Sequence, residues 1–310
     1  MSGNSDIINL NSCTLCPRNC LADRYKGGTG YCGMDAGLNV ASVCIHRGEE
    51  PVIGGNDGIC NVFFGGCNLR CIFCQNHEIS QSHKGSNPFM NDRESIIRMI
   101  SEILSTGINS VGFVSPSHMV PQMLQIISGI QAEGFKPVIV YNTNGYDKVD
   151  IIKKLEGIVD VYLPDFKYAS PEISRLLSGA ANYPEIALRA AREMYRQMGS
   201  SLITDMNGKA ERGLLIRHLV LPGRTDESKK VLDTIAQELS VGVNISLMSQ
   251  FHPMHQAANY PELGRELYKA EYDEVVEHMQ ELGFRNGWIQ DLESNRNYLP
   301  DFSQEHPFED

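Results

Sequence analysis

The chain has 310 residues, 42% hydrophobic and 21% charged, which is enough apolar material for one large core or two smaller ones. Its formal net charge of −11 excludes the basic footprint that non-specific nucleic-acid binding requires. No apolar run approaches the roughly 20 residues of a membrane span, and the first eleven residues have neither a basic stretch nor an apolar core, so a cytoplasmic chain without a signal peptide is expected.

In chain order, residues 1–57 read as a small cap: few apolar runs, glycines at 27, 28, 30, 33 and 37, and the cysteines Cys13, Cys16, Cys20 and Cys32. His46, with Glu49 and Glu50 nearby, either lines the mouth of a site or lies on a surface loop, and the surface loop is the reading taken. From 58 to 290, short apolar runs at 59–64, 110–114, 137–141, 159–163, 214–221 and 244–248 suit parallel strands covered on both faces. Helical stripes lie between them: Ile96, Ile97, Ile100, Ile103 and Leu104, opened by Asn91 and Glu94 as a capping box; Val120, Met123, Leu124, Ile127 and Ile130; Ile186, Ala190, Met194 and Met198; Val231, Leu232, Ile235 and Leu239. Val275, Val276, Met279 and Leu282 follow the last strand. Six β–α units in series make an α/β fold, either doubly wound or a partial barrel, and both place functional residues at the carboxyl ends of strands. Residues 291–310 hold six carboxylates against Arg296 and read as a solvated acidic tail.

All nine cysteines lie between Cys13 and Cys74. A core scatters buried cysteines along a chain, whereas this clustering points to metal. After the first strand, Gly65-Gly66-Cys67-Asn68-Leu69-Arg70-Cys71-Ile72-Phe73-Cys74 puts three thiolates on one compact loop. Thiolates are the usual ligands of a four-iron cubane, and three of them leave one iron open to a small molecule.

This loop resembles the cluster motif of the radical S-adenosylmethionine (SAM) superfamily, and within it the pyruvate formate-lyase activating enzymes and their relatives, across nearly the whole chain. The resemblance implies a partial (β/α)6 TIM-type barrel with the cap at its N-terminus, and a [4Fe–4S] cluster on Cys67, Cys71 and Cys74 that binds SAM. It also implies reductive cleavage to a 5′-deoxyadenosyl radical that abstracts hydrogen. Phe73 matches the position beside the SAM adenine. Asn142-Thr143-Asn144-Gly145 resembles the Asp-Thr-Asn-Gly of activating enzymes, and Asp165-Phe166-Lys167 their Asp-x-Lys; both line the SAM site in that family.

One segment departs. Where activating enzymes carry Gly-Gly-Glu-Pro, this chain has Ser115-Pro116-Ser117-His118, and Ser115 or His118 is expected to take over the contact to the SAM amino group. Arg217, alternating with Leu215, Leu219 and Leu221, either reaches SAM or substrate or forms a buried ion pair. His252 is the candidate SAM-side histidine after the last strand. The C-x2-C-P-x2-C-x11-C cap set resembles the cysteine-rich cap of these relatives. Its four thiolates suit either an auxiliary [4Fe–4S] cluster or Zn2+, with Cys44 an alternative to Cys32. The implied partners are a flavodoxin or ferredoxin electron donor and a glycyl-radical enzyme or other peptide substrate. Modification of a small molecule and a non-catalytic iron–sulfur carrier are the competing readings.

Overall fold

The computed structural model describes residues 9–81, 89–292, 299–302, 304 and 307–308. In chain order the elements are β1 (Val40–His46), α1 (Pro51–Gly54), β2 (Ile59–Phe64), α2 (His77–Ser80), α3 (Arg93–Ser105), β3 (Ser110–Val114), α4 (Val120–Ala132), β4 (Val138–Thr143), α5 (Val149–Lys154), β5 (Val161–Pro164), α6 (Pro171–Ser178), α7 (Tyr183–Met198), β6 (Ile203–Thr204), β7 (Ala210–Leu219), α8 (Thr225–Glu238), β8 (Asn244–Met248), α9 (Lys269–Glu281) and β9 (Gly287–Ile289). The strands follow the path β1-β2-β3-β4-β5-β7-β8-β9, parallel from β2 onward, with β6 pairing only on β7. Among the described residues β1 and β9 do not pair, so the barrel is partial and open along one side.

Side-chain alternation gives this sheet two different faces. Cys60, Val62, Val111, Phe113, Ile139, Tyr141, Tyr162, Leu214, Ile216, Ile245 and Leu247 point outward into the main core shared with the helices. Large side chains such as Phe113 and Tyr162 are fully buried there, each contributing about 1.5–3 kcal/mol of transfer free energy. The intervening residues Ile59, Val140, Val161, Leu163 and Leu215 point inward and pack on Val52 and Ile53 of α1. The short helix α1 thus plugs the barrel from below. Farther along the same inner faces the residues become polar, and there the barrel holds a cavity.

Several expectations need correcting. The helix expected to open on an Asn91/Glu94 box starts instead with Asp92, whose carboxylate accepts from the Ser95 amide at 3.1 Å. Strand β1 lies inside the segment read as cap and pairs antiparallel with β2, so residues 40–46 belong to the sheet. The rest of the cap shares the main core through Leu10, Leu15, Met34 and Leu38. It is tied down by the fully buried Arg24, which donates to the Asp35 carbonyl and, at 2.7 Å, to the His118 carbonyl. In the acidic tail, residues 293–298, 303, 305–306 and 309–310 lie outside the described ones. Phe302 and Phe308 are not free in solvent: both pack on Phe63, and Phe308 also packs on His46 with the rings tilted and their centroids 4.1 Å apart.

Candidate active site

A cavity of about 930 Å3 opens at the carboxyl ends of the strands. Cys67, Cys71 and Cys74 line it together, on the loop that leaves β2. Gly66 makes that loop possible: its φ is +70°, and a Cβ there would lie 2.2 Å from the Cys32 carbonyl oxygen of the cap.

Each thiol of the loop has a polar neighbour. Asn144 Nδ2 donates to Cys67 Sγ at 3.3 Å, Ser178 Oγ donates to Cys71 Sγ at 3.0 Å, and Ser80 Oγ lies 3.3 Å from Cys74 Sγ. Burial pushes the Cys67 thiol up to about 12 and the Cys74 thiol up to about 11, each raised further by its neighbouring thiol Cys71. Without a cation the three would stay protonated at neutral pH; with one, they are thiolates already supplied with hydrogen-bond donors. Among the described residues no three His, Cys, Asp or Glu side chains converge on a point for a single ion. A cubane takes one sulfur on each of three irons, so the chemistry of this donor set fits a cluster.

Beside the thiols, Lys167 Nζ and Asp165 Oδ2 pair at 2.5 Å on the cavity wall. Burial works against the Lys167 ammonium, but the Asp165 carboxylate outweighs it and holds the group charged, above the ordinary lysine range. The alternation of an extended segment aims both side chains into the cavity. Gly145, at φ +80°, lets the loop after β4 approach within a Cβ's reach of the Asp165 carbonyl. The Tyr183 hydroxyl locks the two loops together, 2.9 Å from the Asn144 and Asp165 carbonyls and 3.0 Å from the Lys167 amide.

The remaining candidates divide into two groups. Phe73, Ser115, Asn142, Asn144, Arg217 and His252 line the cavity with the pair and the thiols. Thr143 does not: its hydroxyl donates to the buried Asp147 carboxylate and meets Ser117 at 3.0 Å. Nor does His118, which is a correction to the expected SAM contact. Its Nε2 lies 2.8 Å from the Gly65 carbonyl, it is 1% exposed, and burial pushes its pKa down to about 4, so it braces the cysteine loop as a neutral ring. Ser115, in the left-handed region at φ +49°, is the residue of that segment facing the cavity.

Of the two readings for Glu49 and Glu50, the structure supports the one not taken, since both line the cavity. Read as surface, they are buried against Arg217, with side chains 7% and 8% exposed. The signal was available: a charged residue inside an apolar strand run requires a partner, and Glu49-Glu50 is an acidic pair of opposite sign. Trp288 of β9 also lines the cavity and lay beyond the last expected strand.

In the cap, burial pushes the Cys16 thiol up to about 12, and Cys32, Cys13 and Cys20 each raise it further, so the four share one neighbourhood. Cys44, weighed as a substitute for Cys32, sits on β1 opposite Asn61 and neighbours Cys60 instead.

Comparison with known proteins gives this geometry a family. The radical SAM superfamily model matches residues 61–235. The uncharacterized protein MJ0674 of Methanocaldococcus jannaschii is 29% identical over 273 residues, covering 86% of this chain and 73% of that one. Among solved structures, Streptococcus suis SuiB bound to the precursor peptide SuiA has a TM-score of 0.48 and 12% identity, over 75% of this chain and 49% of that chain. Native anSMEcpe with bound AdoMet has a TM-score of 0.49 and 16% identity, over 72% and 61%. The chain spans about half to three-fifths of the length of these solved structures.

Proposed function

Because the chain belongs to the radical SAM superfamily, its model covering more than half of the residues, we propose that Cys67, Cys71 and Cys74 hold the [4Fe–4S] cluster and that the cavity wall around them holds SAM for hydrogen abstraction from a peptide substrate. A [4Fe–4S] cluster held there would supply the single electron that breaking the S–C5′ bond of SAM requires, giving methionine and a carbon-centred radical able to take hydrogen from a C–H bond. The residues of the chain hold and orient. Asn144, Ser178 and Ser80 donate toward the three sulfurs. The Asp165–Lys167 pair offers both an acceptor and a cation to a ligand bearing hydroxyls and a carboxylate, with Ser115 and Asn142 as further polar contacts and Phe73 and His252 on the ring side. The apolar plug under the barrel excludes water from below, and the fixed walls supply the positioning such chemistry needs.

The observation that carries this reading is the meeting of three donor-supplied thiols and the Asp165–Lys167 pair in one cavity. In its finer form, the substrate is the glycine segment of a glycyl-radical enzyme or a related peptide, the electron donor a flavodoxin or ferredoxin, and the cap thiols Cys13, Cys16, Cys20 and Cys32 hold a second [4Fe–4S] cluster. The test is anaerobic reconstitution with iron and sulfide, reduction with dithionite, addition of SAM, and assay of 5′-deoxyadenosine with iron and zinc per chain. Deoxyadenosine with about eight irons supports both clusters; about four irons and one zinc makes the cap a zinc site. A protein that holds iron and forms no deoxyadenosine would end the enzyme reading.

A further inference from the structure

Below the strand ends from which the cysteine loop leaves, one guanidinium serves two carboxylates. Arg217 binds Glu50 through both ends of its fork, Nε to Oε1 at 2.8 Å and Nη2 to Oε2 at 2.5 Å, and shares the same Nη2 with Glu49 Oε2. Glu49 Oε1 accepts from Asn61 Nδ2 at 2.9 Å and is approached by Asn142 Nδ2 at 3.5 Å. Asn61 lies three residues before the end of β2, so this group sits about 10 Å beneath that end.

The charges there do not balance. Two carboxylates and one guanidinium leave one negative charge in excess, and the asparagines are neutral. The other cations on the cavity wall are engaged elsewhere: Lys167 by Asp165, and Lys209 by Asp57 at the exposed rim, where Arg47 also faces Asp57. Water screens that rim, whereas the side chains of Glu49, Glu50 and Arg217 are all at most 12% exposed. A second observation stands beside the first. The His46 ring lines the cavity, is nine-tenths buried, and its Nδ1 has no hydrogen-bond partner. Trp288 and Phe308, both only partly buried, line the same cavity as aromatic walls.

A buried excess anion, an unpartnered ring nitrogen and aromatic walls together make a receptor for an organic cation. We propose that Glu49, in the cavity that His46 and Trp288 also line, seats a positively charged group of the substrate, a guanidinium or alkylammonium such as a basic peptide side chain carries. On the reading above, in which SAM occupies the cysteine end, this seat is left for the substrate. SAM is itself an organic cation, so the test separates the two sources.

The cluster-loaded protein, saturated with SAM, is titrated calorimetrically with Nα-acetyl-L-argininamide and with its neutral isostere Nα-acetyl-L-citrullinamide (argininamide and citrullinamide below). Argininamide should bind at least about tenfold more tightly, and Glu49→Gln should abolish that preference while SAM affinity, measured by equilibrium dialysis, changes less than about threefold. Equal affinity for the two amides in the wild type, or a preference that survives Glu49→Gln, overturns the proposal. A loss of SAM affinity in Glu49→Gln with no argininamide preference in the wild type assigns the charge to SAM and overturns it too. Circular dichroism confirms that the variant is folded, and Glu50→Gln, which halves the same carboxylate pair, provides a second variant if it is not. Deoxyadenosine formation by the wild type is scored separately, so failure of SAM chemistry and failure of the cation seat give different results.

Discussion

Replacing Asp165 tests how the site holds its lysine. The Lys167 ammonium lies 2.5 Å from Asp165 Oδ2, and the two side chains are 18% and 21% exposed. At an effective dielectric near 20, opposite charges about 4 Å apart attract by about 4 kcal/mol, and removing both from water offsets most of that. A net coupling of about 1–3 kcal/mol remains. In Asp165→Ala the ammonium loses its partner while the Arg217 guanidinium, which also feels Asp165, stays nearby, so this variant should cost more than Lys167→Ala. Urea unfolding of the wild type, both single variants and the double variant gives the coupling directly. SAM affinity by equilibrium dialysis should fall about tenfold or more in each single variant, equivalent to about 1.4 kcal/mol. Stability losses that add within about 0.5 kcal/mol would show that the pair is not coupled, and unchanged SAM affinity would remove Asp165 from the site.

Three other outcomes follow from the geometry. Gly66→Ala forces a Cβ into the Cys32 carbonyl at a positive φ, and should destabilise the fold by about 2 kcal/mol or more and lower the iron bound per chain, read by denaturation and iron assay. His118, depressed to about 4 by burial, takes up a proton on unfolding anywhere between its folded value and the ordinary histidine value of about 6.5, so it withdraws stability as pH falls through that window. His118→Gln should remove about one proton from the uptake measured across pH 6.5 to 4 and leave SAM affinity unchanged; an unaltered slope would show that the ring is not held neutral. On the proposal that the cap thiols hold a metal of their own, Cys16→Ser should lower the iron or zinc bound per chain by the cap's share and leave the share proposed for Cys67, Cys71 and Cys74; unchanged metal content would exclude Cys16 as a ligand.

Much of the barrel was readable because its signals are local. The apolar runs at 59–64, 110–114 and 244–248 correspond to β2, β3 and β8, and the stripe through Ile96, Ile97, Ile100 and Leu104 is the buried face of α3. The spacing of Cys67, Cys71 and Cys74 on one loop was likewise visible, and the three do line the cavity together. Strand β1 did not. Val40–His46 is interrupted by Ser42 and ends on the polar His46, and it becomes a strand because β2 offers an edge. Nor could periodicity reveal that the aromatics of the C-terminal segment return to Phe63, since that contact joins residues 239 and 245 positions apart.

His118 and Arg217 show the limit most sharply, because both were singled out for the right chemistry and only one reaches the cavity. Both lie where the chain leaves or ends a strand, and both carry nitrogen donors suited to a ligand. What separates them is direction. Arg217 shares the inner face with Leu215 and Leu219, a period-two relation that the sequence displays. His118 lies past β3 in a 3-10 turn opened by Ser115 in the left-handed region, where alternation no longer applies, and the turn swings its ring outward onto the Gly65 carbonyl. Alternation likewise could not find Glu49 and Glu50, which follow the end of β1 and reach the barrel interior because α1 folds into it as a plug. Inside strands the facing of a polar residue can be read from spacing; at their ends it depends on a turn whose geometry is settled by tertiary packing. The cysteine loop stayed legible through such a turn because three closely spaced cysteines on one loop must stay near one another however the turn is packed, whereas a lone histidine has no such constraint.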